Sequence, residues 1–210
     1  MPFHHFPAHF VYWTQIPEHK EIRDIYMPKI EQLQKTIKGN TPFKACKLNT
    51  SFSYKDTKVN DFLYDPNLVE NIVMKPLTNM LNEIQLTNGM RNITIEEIKI
   101  TTAWFNTYDT QEFQELHDHN GYPVGSFHPC FSLVYILNNP NTTNDTVYRL
   151  KQQPFLPYHT TYQFDTSKEK SIQEGTLLIT SSSLPHLVKP SDNSGRTTIA
   201  YNVFAEFSGA

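Results

Sequence analysis

Hydrophobic and polar positions change period once along the chain. Before residue 92 the apolar residues recur at helical spacing. From Pro28, Ile30, Leu33 and Ile37 fall on one face of a helix that Gly39 ends. Asp65-Pro66 is an N-cap followed by a first-turn proline, and it predicts a second helix carrying Leu68, Val69, Ile72, Val73, Leu77, Met80, Leu81 and Ile84. Pro76 lies inside that stripe and predicts a kink or a split. From residue 92 the period is two. Ile98, Ile100, Thr102, Trp104 and Asn106 take one strand face, and Lys99, Thr101, Ala103 and Phe105 the other. The runs CFSLVYIL (130–137), TYQFDT (161–166), GTLLITSS (175–182) and RTTIAYNVFAEF (196–207) predict further strands, joined by loops rich in Asn, Pro, Gly and Ser. The expectation is a mainly β protein with flanking helices. It forms a single domain over 1–210, with a helix-rich layer over 1–91 and an antiparallel sandwich or barrel over 92–207.

Composition narrows the function classes. A chain of 210 residues with 14 Phe, 11 Tyr and 2 Trp can bury a substantial core. The net charge of −3, with no run of Lys or Arg, gives no electrostatic case for nucleic acid. No stretch of about 18 apolar residues predicts a membrane span. The N-terminal MPFHHFPAHFVYW lacks a basic region followed by an apolar one, so no signal peptide is expected and a cytoplasmic protein is. His4 and His5 are read as incidental to a flexible end. Cys46 and Cys130 match no zinc spacing and are read as reduced thiols. The sequons at Asn49, Asn92, Asn141 and Asn144 follow from an Asn/Thr-rich composition.

Candidate chemistry begins in Glu115-Leu116-His117-Asp118-His119-Asn120. In an extended backbone, residues i and i+2 point to one side, so His117 and His119 converge while Asp118 points away; a turn would bring in Asp118 instead. His186, just past the strand at 175–182, is the candidate third ligand, against the ordinary reading of a loop histidine. Arg196, Thr198, Ala200 and Asn202 share one face of the last strand. If that face is interior, a buried guanidinium there calls for an anion, and a carboxylate matches its planar fork.

Five ordered elements carry a resemblance: AWFN (103–106), LHDH (116–119), SLVYIL (132–137), SSLPHLVKP (182–190) and RTTIAYN (196–202). Together they resemble the iron(II)/2-oxoglutarate-dependent oxygenases, whose pattern is His-x-Asp/Glu…His…Arg-x-Ser/Thr. They are closest to a group of that superfamily found in marine bacteria and their viruses, with a His-x-His pattern. The resemblance covers roughly residues 95–207.

The resemblance implies a double-stranded β-helix, a cupin-like jelly roll, as the core. It implies Fe(II) held by His117, His119 and His186, and a site with open coordination positions. It also implies 2-oxoglutarate as cosubstrate, with its far carboxylate anchored by Arg196 and Thr198, and supporting roles for Asn106 and Tyr135. The expected reaction is hydroxylation of a peptide side chain or small metabolite by O2, releasing succinate and CO2. His119 stands where the family pattern has a carboxylate, which keeps Asp118 open as a substitute ligand. The segment NGYPVGSFHP (120–129), with Gly121 and Gly125, is expected as a lid, and His128 within it as a surface histidine. Two alternatives remain: a non-catalytic jelly-roll binding or structural protein, and a three-His dioxygenase that needs no keto acid.

Overall fold

The computed structural model describes residues 3–6, 9–40, 45–88, 94–120, 127–140, 146–151, 161–190 and 194–208. In chain order the elements begin with β1 (Phe3–Phe6), β2 (His9–Gln15), α1 (His19–Thr36), β3 (Asn49–Thr50) and a 3-10 helix (Thr57–Tyr64). α2 (Pro66–Val69), a π-helical turn (Glu70–Met74) and α3 (Lys75–Asn88) follow. The remaining strands are β4 (Thr94–Tyr108), β5 (Gln114–His117), β6 (Phe131–Asn138), β7 (Thr146–Lys151), β8 (Thr161–Asp165), β9 (Thr176–Ser181), β10 (His186–Val188) and β11 (Arg196–Ser208).

The strands form two antiparallel sheets. The larger has the order β1-β2-β9-β6-β11-β4-β3 and the smaller β5-β10-β7-β8. The helices cover the outer face of the larger sheet. Ile22, Tyr26, Ile30, Leu68, Ile72, Leu77 and Met80 pack there against Ala103, Phe105, Leu133, Tyr135, Ile179, Ile199 and Tyr201 in one apolar cluster. The inner face meets the smaller sheet, where Trp13, Ile136 and Leu178 pack with Tyr148 and Leu184. This is the expected mainly β jelly roll with flanking helices.

Local departures from the sequence reading have identifiable causes. α1 starts at His19, nine residues before the expected start at Pro28. Its buried face, Ile22, Tyr26 and Ile30, runs straight past Pro28, which sits on the exposed side where packing overrides its helix-breaking tendency. The Asp65 carboxylate caps α2 as expected, accepting from the N–H groups of Asn67 and Leu68. Ahead of Pro76 the helix widens into the π-helical turn, which accommodates the hydrogen bond that proline cannot donate. The N-terminal segment taken as a flexible end is sheet. β2 pairs with β9 through Val11–Thr180 to Gln15–Thr176, so strands occur well before residue 92.

One parity expectation fails. Ile98 and Ile100 do not share a face with Trp104 and Asn106; they pack on the helix-side cluster. β11 pairs Asn202 with Thr102 but Val203 with Ile100, so Thr101 is an extra residue that shifts the alternation. Its hydroxyl donates to the Asn202 carbonyl at 3.1 Å. Cys46 and Cys130 form no disulfide. Among the described residues no helix is long and apolar enough to cross a membrane.

Candidate metal centre and its two chambers

His117 ends β5 and lies directly opposite His186, the first residue of β10. Two residues on, the His119 backbone N–H donates to the Ser182 carbonyl at 2.8 Å, which ties the chain leaving β5 to the end of β9. That crossing brings the third imidazole in. The ring centroids of His117, His119 and His186 stand 4.3–5.3 Å apart, and one nitrogen from each lies within 4.8 Å of the others. Asp118 is exposed, and its carboxylate accepts the Asn120 N–H at 3.1 Å. The alternation read from the sequence holds: His119 joins the cluster and Asp118 stays at its rim.

Each ring spends Nδ1 inside the protein. His117 Nδ1 meets the Glu115 carbonyl at 2.7 Å and His186 Nδ1 the Leu184 carbonyl at 3.1 Å. A carbonyl only accepts, so Nδ1 carries the proton in both rings and the lone pair lies on Nε2. His119 Nδ1 sits 2.6 Å from Asn202 Oδ1 and 2.8 Å from Ser132 Oγ. Burial lowers all three pKa values. For His119 burial and then the His117 charge push it down to about 3, and burial, then His117 and His119, hold His186 well below its ordinary value. His117 is lowered by burial too. At neutral pH the three rings are uncharged σ-donors, the form a divalent transition metal binds.

One chamber leads inward from the imidazoles. It is lined further by Asn106, Tyr108, Thr146, Val188, Arg196 and Thr198. Arg196 is 2% exposed, donates from Nη2 to Thr146 Oγ1 at 2.9 Å, and lies 5.2 Å over the Tyr108 ring. Tyr108 donates to Gln114 Oε1 at 3.0 Å, and burial pushes its hydroxyl up to about 12 despite the opposing Arg196 charge. Asn106 Nδ2 is 3.5 Å from Thr198 Oγ1. Among the described residues Asn106 Oδ1 is buried without a hydrogen-bond partner. A second chamber is lined by His117 and His119 but not His186, together with Phe52, Trp104, Gln114, Asp118 and Asn202.

Six of the seven expected site residues therefore share one cavity. Tyr135 is the exception. β6 turns Val134 and Ile136 inward, so Tyr135 points to the helices, where its hydroxyl meets His19 Nδ1 at 2.7 Å. Alternation along β6 groups Tyr135 with Leu133 and Leu137 but does not say which face is interior. Tyr108 occupies the place beside Arg196 instead. The sequence reading also missed Gln114, three residues before His117, and Thr146, on a strand it did not predict. Ser132 was within reach, since it shares a parity with Val134. His128 is exposed, and the expected lid, with Gly121 and Gly125, falls largely on residues outside those described.

No family model matches the sequence, and no curated protein matches it. Three solved structures are similar to it over most of its length. One is a prolyl-4-hydroxylase from Pseudomonas putida (12% identity, covering 93% of this chain and 92% of that one, TM-score 0.52). Another is the viral collagen prolyl hydroxylase of Paramecium Bursaria Chlorella virus-1, in complex with 2-oxoglutarate (11% identity, covering 93% and 96%, TM-score 0.51). The third is SnoK, a non-heme α-ketoglutarate-dependent carbocyclase from nogalamycin biosynthesis (10% identity, covering 93% and 81%, TM-score 0.55). At these identities the likeness is one of fold: the chain has the jelly roll seen in 2-oxoglutarate-dependent oxygenases.

Proposed function

We propose that the chain is an Fe(II)- and 2-oxoglutarate-dependent dioxygenase. In this reading His117, His119 and His186 hold the metal, and Arg196 and Thr198 hold the far carboxylate of 2-oxoglutarate, with Asn106 beside it. The observation that carries it is one pocket lined both by three metal-competent imidazoles and by a guanidinium–hydroxyl pair. The whole chain is taken as one domain of the His-x-His group of that superfamily, working in a reducing cytoplasm that keeps Cys46 and Cys130 as thiols.

Fe(II) with bound 2-oxoglutarate supplies oxidation of an unactivated C–H bond by O2, giving a hydroxylated product, succinate and CO2. The protein's own residues prepare that chemistry. Carbonyl and amide acceptors fix each imidazole with Nε2 as the donor atom. Arg196 supplies a buried positive charge for a carboxylate, and Tyr108 covers one face of the guanidinium and keeps water from it. Asn106 Nδ2, 3.5 Å from Thr198 Oγ1, faces that oxygen as a donor and leaves the Thr198 hydroxyl proton for a carboxylate oxygen. The primary substrate is a peptide side chain or a small metabolite.

Three neutral ligands without a carboxylate favour a different chemistry, metal-dependent oxidation that uses no oxoacid. The buried Arg196–Thr198 pair weighs against it, because that pair has no role in an oxoacid-free site. Anaerobic titration of the Fe(II)-loaded protein with 2-oxoglutarate, followed by the weak visible charge-transfer band of the chelate, separates the two. A saturable band that is absent in His117→Ala, and that needs at least about tenfold more 2-oxoglutarate in Arg196→Ala, is the expected result. Bound iron without a band points to the oxoacid-free chemistry. No bound iron rejects the metal centre.

A further inference from the structure

Trp104 and Asn202, which both line the second chamber, each carry an N–H group that the described residues leave unmet. The Trp104 indole Nε1 and the Asn202 amide Nδ2 are buried and, among the described residues, meet no acceptor. Their residues are only 4% and 1% exposed. A buried donor left unmade is costly, and such groups persist where a ligand completes them. Both side chains lie on the inner face of paired strands. Trp104 stands opposite Ala200, and Asn202 is two residues further along β11, so the two are diagonal neighbours. The Asn202 amide has one usable orientation. Its Oδ1 takes the proton on His119 Nδ1 at 2.6 Å, a proton that ring keeps if Nε2 is to bind metal. Its Nδ2 is thereby held on the side of the amide away from His119.

Charge selects among acceptors. Asp118 is the only carboxylate lining the chamber among the described residues, and it is exposed. Its negative charge at the rim opposes an anion and leaves an uncharged carbonyl as the matching group. The Phe52 and Trp104 rings, 5.1 Å apart and tilted by 59°, supply an apolar wall beside it. We infer that this chamber is the primary-substrate subsite and takes an uncharged amide, its carbonyl oxygen held between Trp104 Nε1 and Asn202 Nδ2 and its aliphatic part against Phe52. This assignment rests on the metal centre proposed above. The same amide chemistry is offered by a peptide bond and by a small amidated metabolite.

The chain has two tryptophans, so its proton–nitrogen spectrum carries two indole N–H signals. Trp13 Nε1 already donates to Ser171 Oγ at 2.9 Å and serves as the internal reference; Trp13→Phe identifies the Trp104 signal. In protein loaded with Zn(II) and 2-oxoglutarate, N-acetyl-alaninamide is expected to move the Trp104 signal downfield, saturably, and leave Trp13 in place. N-acetyl-alanine, the carboxylate counterpart, is expected to bind at least about tenfold more weakly, and Asp118→Asn to narrow that gap. Trp104→Phe, which keeps the ring, is expected to weaken the amide by about tenfold with zinc content unchanged. Tighter binding of N-acetyl-trialanine amide assigns the amide to a peptide, and equal binding to a small molecule. A Trp104 signal unmoved by N-acetyl-alaninamide, or tighter binding of the carboxylate, overturns the inference. Zinc content measured on the same sample tells that result from failure of the metal centre, which would remove both.

Discussion

The two faces of the seven-stranded sheet are built from alternate residues of the same strands, and both are buried. On the helix side, Phe105, Leu133, Ile199 and Tyr201 are fully covered, and the one hydroxyl among them donates to the Leu63 carbonyl at 2.7 Å. On the inner side, the same three strands present Trp104, Asn106, Ser132, Arg196, Thr198 and Asn202. There, among the described residues, an indole N–H, an amide oxygen and an amide N–H lack partners. Packing alone would fill such positions with apolar side chains, because polar groups lose their hydration on burial. The outer face is what folding requires of a sheet covered by helices. The inner face keeps polar groups that no other group among the described residues completes. Because the side-chain period of a strand is two, the two demands fall on different residues and do not compete.

The largest expected effect breaks the outer face. Ile199→Ala removes a fully buried side chain from the helix-side cluster, with an expected loss of about 2–5 kcal/mol. Urea denaturation measures it, and metal content in the folded protein should be unchanged. A loss below about 1 kcal/mol would mean that the helices do not hold this face tightly. The neighbouring position on the partner strand tests the other side. Asn106→Leu removes an amide whose oxygen is buried without a partner among the described residues, so stability should stay within about 1 kcal/mol of the parent or rise. Binding of 2-oxoglutarate, read by the charge-transfer band, should weaken. If Asn106→Leu instead destabilises the protein as strongly as Ile199→Ala, the inner face is structural too.

How far the sequence alone carries differs between these faces. The period-two runs give β6, β9 and β11, and the alternation along β11 groups Arg196 and Thr198, which line the first chamber, with Asn202, which lines the second. The spacing of His117 and His119 likewise gives their common side. Alternation assigns residues to a face without saying which face is inward, and Tyr135 was misplaced for that reason. The shift at Thr101 depends on how β4 pairs with β11, a non-local fact with no local signal. β2 reads as HFVYWTQ, an apolar run long enough for a strand, but it lies next to the Pro- and His-containing start that suggested a loose end. The meeting of His117 with His186 is set by the pairing of β5 with β10, elements of four and three residues, too short to show a period.

The smallest expected effect concerns how the smaller sheet is fastened. Lys189, one residue past β10, donates to Asp165 at the end of β8, at 2.9 Å. Burial raises the Asp165 pKa, but the Ser167 hydroxyl, the Lys189 ammonium and the Ser167 N–H together outweigh it and leave the carboxyl below its ordinary 3.8. A group depressed on folding binds protons more readily when unfolded. Its stabilising contribution is therefore present above about 3.8 and is lost as pH falls through the lowered value in the folded protein. Lys189 is 38% exposed, so solvent screens the pair and the expected contribution is about 0.2–1 kcal/mol. Lys189→Met should lower the stability read by urea denaturation by that small amount at pH 7, and less in high salt. The gap to the parent should close as the pH falls below the ordinary carboxylate range. A gap that is the same at every pH would show that the lysine acts through the packing of its aliphatic stem, and the smaller sheet would then be fastened as the outer face of the larger one is, by apolar contact.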